Sequence, residues 1–386
     1  MRLILSFLPT LLFLTNLAAG TQNRMPVRNE PDPEPASGSV VCAPGVYLVL
    51  PDDCLPLGPS ADLTRAAAEG VPYPIPPLPA YQPDTALNYV PYQYFKVNED
   101  GTPVFLSLED GLANQPSQFI DPGFLYVSYQ ARADTEEGVF YQLRSGAWIR
   151  GDGARAGVPT YQGLLFSSTP RYSFGWVLGE VKSRTAPGFS ASETGNTWYR
   201  YNIVQVFAVE EAEGNTWVMI GPDEWLDYRH VSRVDPRSEP PDGVPGSRWI
   251  EVNLDEQTLA VYQDNELVFA TVIASGVEPF WTQPGVFQIY EKKDIETMSG
   301  ATEADRSDYY YLEDVPWTMY YDQKRALHGA YWHNAFGYPR SHGCVNLSVG
   351  DAHWLFEWAN EGDYVYVYDP SGRTPTDPFL YGVGAP

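Results

Sequence analysis

The C-terminal part of this chain consists of short segments in which apolar and polar residues alternate. Residues 249–254 alternate in this way, and a polar turn at 255–257 leads into the apolar run 258–262. A second polar turn, at 264–266, leads into residues 267–274. A period of two between polar turns is typical of a β-meander, because successive side chains of a strand point to opposite faces. The pattern predicts a mainly β fold.

Only one segment in this part has helical spacing. In residues 350–360 the apolar positions recur at intervals of three and four, and Asp351 stands where an N-cap or first-turn acid is favourable. The 27 Tyr and 11 Trp residues suit a β-rich architecture, because flat rings pack well on pleated surfaces. We therefore expect a β-sandwich or barrel with one short helix.

The N-terminus has the pattern of an export signal. Met1 and Arg2 give a positive start, residues 3–17 are uncharged and rich in Leu, and residues 17–20 are mostly small. An uncleaved membrane anchor is the alternative, but the apolar run is short for a bilayer span and Pro9 interrupts it. We expect cleavage, a mature chain without a transmembrane span, and a location in the cell wall or periplasm.

Export changes how the three cysteines are interpreted. Cys42 and Cys54 enclose a short loop and are expected to form a disulfide in an oxidising compartment. Cys344 then has no partner. An unpaired thiol in an exported protein is either a buried apolar residue or a reactive one.

Proline-rich stretches, at 71–83 and 235–247, suggest how the chain is divided. Residues 21–40 cannot bury a core and are expected to be disordered. The predicted parts are a signal peptide (1–20), a Pro-rich linker with the Cys42–Cys54 disulfide (21–85), two β-modules (86–158 and 159–234), a linker (235–247), a C-terminal domain (248–370) and a tail (371–386).

The two middle modules resemble each other weakly. Residues 138–150 and 215–227 each contain a short alternating strand, a turn and a Trp-containing strand. This pattern resembles a pair of small bacterial SH3-like β-barrels. The resemblance implies binding of cell-wall glycan or peptide, with a structural spacer as the alternative. The net charge of −25 and the absence of Lys or Arg runs argue against a nucleic-acid partner.

Histidines cluster around the unpaired thiol. His328, His333 and His342 precede Cys344 within sixteen positions, although the chain has only 5 His. A thiolate attacks carbonyl groups, and an imidazole can take and return the proton. Gly343 allows consecutive backbone N–H groups to approach a reacting carbonyl. A zinc site is the rival interpretation, but these spacings match no common zinc pattern, and we predict no metal or other cofactor.

These residues carry a resemblance to a known family. The segments 327–330 (Leu-His-Gly-Ala), 341–346 (Ser-His-Gly-Cys-Val-Asn) and 282–287, with sixteen positions from His328 to Cys344, resemble the signature of YkuD-type L,D-transpeptidases. The resemblance covers about a third of the chain. Many members have Arg two positions after the Cys, where this chain has Asn346.

The resemblance implies a role for each matching residue. Cys344 would be the nucleophile, His328 the general base, and the Gly329 carbonyl the group that orients the imidazole. His342 and Gly343 would shape the loop and, with Cys344, supply N–H groups to an oxyanion. The predicted substrate-contacting residues are Ser341, Asn346, Tyr331 and Trp317.

The implied reaction is transfer between peptidoglycan stem peptides, a donor and an acceptor. Cys344 would attack a tetrapeptide stem, release D-Ala and form a thioester, which an acceptor amine would resolve to a cross-link between third-position residues. With water as the acceptor, the same site would be an L,D-carboxypeptidase. The alternative that is not an enzyme is a non-catalytic scaffold that binds the cell wall.

Overall fold

The computed structural model describes residues 66–72, 74–97, 101–151, 154–301, 306 and 308–381. The predicted signal peptide, the Cys42–Cys54 disulfide and most of the linker lie outside these residues, so these features stay predictions. Within the described ranges no helix is long and apolar enough to cross a membrane.

Strands dominate the described part of the chain, which confirms the mainly β prediction. Before residue 247 the strands are β1 (Ala80–Tyr81), β2 (Gln93–Lys96), β3 (Thr102–Phe105), β4 (Gln118–Ile120), β5 (Phe124–Thr135), β6 (Gly138–Leu143), β7 (Trp148–Arg150), β8 (Ala154–Arg155), β9 (Leu164–Phe166), β10 (Ser173–Val177), β11 (Val181–Arg184), β12 (Glu193–Trp198), β13 (Ile203–Val206), β14 (Ala208–Ala212), β15 (Asn215–Gly221), β16 (Glu224–Asp227) and β17 (Val231–Val234). After residue 247 they are β18 (Trp249–Asn253), β19 (Thr258–Gln263), β20 (Glu266–Val272), β21 (Gly285–Gln288), β22 (Glu291–Gly300), β23 (Tyr310–Asp322), β24 (Arg325–Gly329), β25 (Val345–Leu347) and β26 (Tyr364–Tyr368). Two α-helices each follow one of these strands, α1 (Leu108–Leu112) and α2 (Val349–Trp358), and 3₁₀ turns occupy Thr85–Asn88, Tyr228–His230 and Pro378–Leu380.

The strands after residue 247 belong to two sheets. One has the order β1-β9-β20-β19-β18-β26-β21, and its centre is the predicted meander β18–β19–β20. The other has the order β25-β24-β23-β5-β6-β7-β3-β4, with β22 paired to β23 and β2 paired to β5 and β8. Apolar side chains from both sheets and from α2 form a common core, for example Val252, Leu327 and Leu355.

Helix α2 coincides closely with the predicted helical segment. Ser348 is its N-cap, and the Ser348 hydroxyl accepts a hydrogen bond from the Asp351 N–H at 3.2 Å. Asp351 is buried, and its carboxylate accepts hydrogen bonds from the Gly163 N–H at 2.8 Å and from the Thr271 hydroxyl at 2.6 Å. Burial raises the pKa of Asp351 to about 6. The first-turn acid therefore also ties the segment before β9 to the helix.

Strands from both predicted middle modules continue the sheets of the C-terminal part. β5 pairs in parallel with β23, and β9 pairs with β20. Strands β10 to β17 form two further sheets, a three-stranded one with the order β13-β10-β17 and a five-stranded one with the order β12-β11-β16-β15-β14. The SH3-like character and the module boundaries stay predictions. The β5–β23 and β9–β20 pairings show that the middle part shares sheets with the C-terminal domain.

Candidate active site

Parallel pairing of β24 with β25 brings the two predicted catalytic residues to one place. His328 lies opposite Asn346 in this ladder, and Cys344 immediately precedes β25. Cys344 and His328 line a common cavity of about 440 Å³. The residues that line this cavity are Phe124, Met298, Asp308, Tyr310, Leu312, His328, Trp332, Arg340, Ser341, His342, Cys344 and Asn346.

The loop that carries Cys344 is fixed by the segment after β20. The backbone N–H groups of Arg340 and Ser341 donate to the Ser275 carbonyl at 2.7 and 2.9 Å. The Thr282 hydroxyl donates to the Gly343 carbonyl at 2.9 Å and accepts from the Gly276 N–H at 2.9 Å. These hydrogen bonds hold the loop in one conformation before any ligand binds.

Gly343 meets a conformational requirement that other residues meet poorly. Its φ is +115°, a left-handed value that favours glycine, and an added Cβ would lie 3.2 Å from Arg325 Nε. Arg325 is itself buried and bonds to Asp322 at 2.8 Å, so it has little room to move. The glycine therefore lets the loop pass close over this arginine.

Hydrogen bonds within the loop correct one predicted role, that of the Gly343 N–H. The Gly343 N–H donates to the Ser341 hydroxyl at 3.1 Å, and that hydroxyl donates to the Cys344 carbonyl. The Gly343 N–H is therefore engaged inside the loop instead of facing an oxyanion. Ser341 lines the cavity but is only 7% exposed, and its hydroxyl bonds within the loop, so its contact with substrate stays a prediction. The oxyanion role of the His342 and Cys344 N–H groups stays a prediction.

The Cys344 thiol is partly accessible and is not ionised at neutral pH. Burial raises the pKa of the Cys344 thiol to about 11, although the Ala326 N–H and the Arg325 guanidinium act in the opposite direction. The Cys344 sulfur lies 3.8 Å from the Lys324 carbonyl, a contact in which the S–H is a weak donor. Reaction of this thiol with a carbonyl at neutral pH therefore requires a base.

His328 has the protonation state of such a base. Its ring is 2% exposed, and burial lowers the pKa of His328 to about 4. Its Nδ1 lies 3.4 Å from the Gly329 carbonyl, and a proton on Nδ1 would point toward this acceptor. In that tautomer Nε2 carries the lone pair. This geometry agrees with the predicted orienting role of Gly329.

Hydrogen bonding around His333 fixes the orientation of Asn346. His333 Nδ1 accepts from the Ala335 N–H at 3.1 Å, and burial lowers the pKa of His333 to about 3. A neutral ring that accepts at Nδ1 carries its proton on Nε2, which lies 3.0 Å from the Asn346 amide. Two N–H donors cannot bond to each other, so we assign the Asn346 oxygen to the side that faces His333 and the NH₂ group to the opposite, buried side. Asn346 thus presents a donor beside His328.

His342 is held between two aromatic rings. The His342 ring centre lies 4.6 Å from that of Phe280 and 5.5 Å from that of Tyr310. Burial lowers the pKa of His342, and the Asp308 carboxylate opposes this shift. The side chain therefore stays on the cavity wall and helps to fix the loop, which is compatible with its predicted loop role.

Two predicted substrate contacts lie in packed regions away from the cavity. Tyr331 is fully buried, its ring stacks on Tyr94 at 3.5 Å, and its hydroxyl donates to the Glu313 carbonyl at 2.7 Å. Trp317 stacks on His353 at 3.9 Å, against helix α2. Neither residue lines the cavity, so this placement corrects both predictions. The adjacent Trp332 lines it instead.

Several other lining residues have no signal in the sequence motif. Phe124 comes from β5, more than two hundred positions before Cys344, and Met298 and Leu312 come from β22 and β23. Arg340 places an exposed guanidinium on the wall. Among the residues that the structure describes, no group of three or more His, Cys, Asp or Glu could hold a metal ion.

Comparison with known proteins identifies the C-terminal domain. Residues 247–367 match the family model of the YkuD L,D-transpeptidase catalytic domain, which confirms the resemblance. Over 127 residues the chain is 24% identical to the Bacillus subtilis (strain 168) protein named "Putative L,D-transpeptidase YciB". The match covers 28% of this chain and 59% of that protein, so this chain spans less than two thirds of its relative.

Solved structures of similar proteins match parts of this chain. An Enterococcus faecium L,D-transpeptidase variant is 26% identical with a TM-score of 0.30, over 32% of this chain and 50% of that chain. An L,D-transpeptidase from Mycobacterium smegmatis is 18% identical with a TM-score of 0.30, over 55% of this chain and 93% of that chain. Both of these structures are named L,D-transpeptidases.

Proposed function

We propose that this protein is a peptidoglycan L,D-transpeptidase in which Cys344 is the nucleophile and His328 the general base. The observation that carries the proposal is the shared cavity of a neutral thiol and a neutral imidazole whose Nδ1 faces the Gly329 carbonyl. A neutral imidazole can accept the thiol proton at Nε2. The family match of residues 247–367 supports the substrate class.

The proposed reaction has two half-reactions, acylation of Cys344 and transfer of the acyl group to an amine. His328 Nε2 takes the Cys344 proton while the sulfur attacks the carbonyl that joins the third residue of the donor stem to D-Ala. The C–N bond breaks, the amine of D-Ala leaves with the proton from His328, and a thioester remains. An acceptor amine then attacks the thioester, His328 takes its proton and returns it to the sulfur, and an amide cross-link forms.

The cavity also offers recognition groups for a charged stem peptide. The Arg340 guanidinium forms no ion pair among the described residues and stands on the cavity wall, where it can bind a carboxylate. Many members of the family have an Arg two positions after the Cys, where this chain has Asn346. Arg340 would supply the positive charge that is missing at that position. The Asn346 NH₂ group adds a neutral donor.

Mass spectrometry of products tests this function. The purified mature protein is incubated with a disaccharide-tetrapeptide that serves as donor and acceptor, beside Cys344→Ala as the blank. Release of D-Ala together with a cross-linked dimer is the expected result. Release of D-Ala without a dimer would favour the L,D-carboxypeptidase, and no release with no adduct on Cys344 would favour the wall-binding scaffold.

We further propose export of the mature protein to the cell wall or periplasm, on the strength of residues 1–20. N-terminal sequencing of the protein recovered from the envelope fraction should begin close to residue 21. Recovery of the full-length chain from the cytosol would contradict this location.

His333 is expected to act as a positioning residue through Asn346. His333→Phe removes the Nε2–H that holds the Asn346 oxygen, and loss of one buried hydrogen bond should lower kcat/KM about tenfold. His333→Gln keeps a donor near the Nε2 position and should recover much of the loss. Steady-state kinetics of D-Ala release measure both variants.

A purely structural role for His333 predicts a different result. In that case Phe and Gln would lower the melting temperature equally, and kcat/KM of the folded fraction would stay at the wild-type value. Asn334→Ala is the matched control, since Asn334 is the exposed neighbour outside the catalytic cavity.

A further inference from the structure

Strand β5 docks directly onto the strand that carries one wall of the cavity. The two strands pair in parallel, with Tyr310 opposite Phe124 and Leu312 opposite Tyr126. The Phe124 N–H donates to the Tyr309 carbonyl at 2.9 Å. At Gly123 an added Cβ would lie 2.2 Å from that same carbonyl oxygen, so only glycine allows this close approach. The start of β5 is therefore fixed relative to the catalytic site.

The Phe124 ring lies on the cavity wall. It lines the same cavity as Cys344 and His328 and is 38% exposed, in a strand whose next residue, Leu125, is fully buried. The Phe124 ring centre lies 5.2 Å from the Tyr126 ring centre and 6.0 Å from Lys96 Nζ. When a ligand covers a large apolar side chain that is accessible in a cavity, the burial of that surface makes the free energy of binding more favourable.

Phe124 shares this wall with two apolar residues of the C-terminal domain. Met298 from β22 and Leu312 from β23 also line the cavity, and both are at least nine-tenths buried. Phe124 is therefore the accessible member of an apolar surface, whereas Arg340 and Asp308 give the cavity its charged groups. A ligand that suits both surfaces has aliphatic groups next to charged ones.

We infer that Phe124 is a specificity-determining residue that contacts the aliphatic groups of the donor stem peptide, so that the region before the catalytic domain contributes to the active site. This inference rests on the proposed function, since it names the part of the stem that this wall binds. The apolar groups available in such a stem are alanine methyl groups and the methylene chain of its diamino acid. The segment 247–367 alone would lack this contact.

Protection of Cys344 from alkylation tests the contact without requiring turnover. The full mature chain is treated with iodoacetamide with and without a tetrapeptide donor, and labelling of Cys344 is followed by mass spectrometry. In the wild type the donor should slow labelling. In Phe124→Ala the donor concentration that gives half-maximal protection, measured relative to the variant's own labelling rate without donor, should rise about tenfold. Phe124→Leu should lie between the two.

Phe119→Ala is the matched control, because Phe119 is a 66% exposed phenylalanine on β4 that does not line the cavity. In Phe119→Ala the donor should protect Cys344 at the same concentration as in the wild type. Equal protection in Phe124→Ala and the wild type, or no protection by the donor in the wild type, would overturn the inference. If Phe124→Ala does not fold, the graded effect of Phe124→Leu decides the question.

These results separate the contact from the proposed function. Protection that depends on Phe124 without D-Ala release would keep the contact and refute the transpeptidase. If D-Ala is released but the donor protects Cys344 equally in the wild type and in Phe124→Ala, the proposed activity stands and the contact is refuted.

Discussion

Cys344→Ala should lower D-Ala release by on the order of 10⁴-fold or more, because it removes the nucleophile that forms the thioester. The sulfur lies in the loop before β25, on the wall of the cavity that also holds His328. The variant should fold normally, because the loop is held by backbone groups and by Ser341, Thr282 and Ser275 instead of the thiol.

Two measurements examine this expectation together. A time course of D-Ala release by mass spectrometry gives the rate, and intact mass after treatment with a carbapenem-type acylating agent gives the covalent adduct. The wild type should gain one adduct, on Cys344, and Cys344→Ala should gain none. An undiminished rate in the variant, or an adduct on another residue, would remove Cys344 from its assigned role.

The parts of the fold that the sequence predicts are those with local patterns. Alternation and polar turns predict the meander β18–β19–β20, and apolar spacing predicts α2 to within a few residues. Both signals are contained in a short stretch of chain. The pairing of β5 with β23 joins residues almost two hundred positions apart and has no such local signal. The site predicted from the sequence therefore does not include Phe124.

The proposed catalytic residues can be predicted because the motif contains them, but their neighbours depend on packing. Tyr331 and Trp332 are adjacent in the chain, yet Tyr331 is fully buried against Tyr94 while Trp332 lines the cavity. A sequence cannot show which of two adjacent aromatic residues faces the core without the register of the surrounding strands. The hydrogen bond from the Gly343 N–H to Ser341 is equally a matter of loop geometry.

The protonation states of His328 and Cys344 lead to a specific pH dependence. With a His328 pKa of about 4, the imidazole is a free base at every pH above about 5, and it loses this function only as the pH falls toward 4. With a Cys344 pKa of about 11, the thiolate fraction at pH 7 is on the order of 10⁻⁴. Acylation by the wild type should therefore be nearly independent of pH between about 5.5 and 9.

His328→Ala should change both the rate and the shape of this profile. Loss of a general base lowers the rate by about 10²–10⁴-fold at pH 7. Without the base, the rate should follow the thiolate fraction and rise about tenfold per pH unit toward pH 10, because only the ionised sulfur then attacks. Single-turnover acylation of Cys344 by the tetrapeptide donor, measured from pH 5.5 to 10, gives both quantities.

The control and the contrary outcome distinguish two mechanisms. His353→Ala alters a histidine that stacks on Trp317 outside the cavity, so it should leave the profile flat. If the wild type instead shows a step near pH 6 to 7 that disappears in His328→Ala, the resting state would be a thiolate–imidazolium pair. Burial argues against that pair, because it disfavours both ionised forms and, for Cys344, outweighs the Arg325 charge that favours the thiolate. A flat wild-type profile and a sloping variant profile would together assign proton removal from Cys344 to His328.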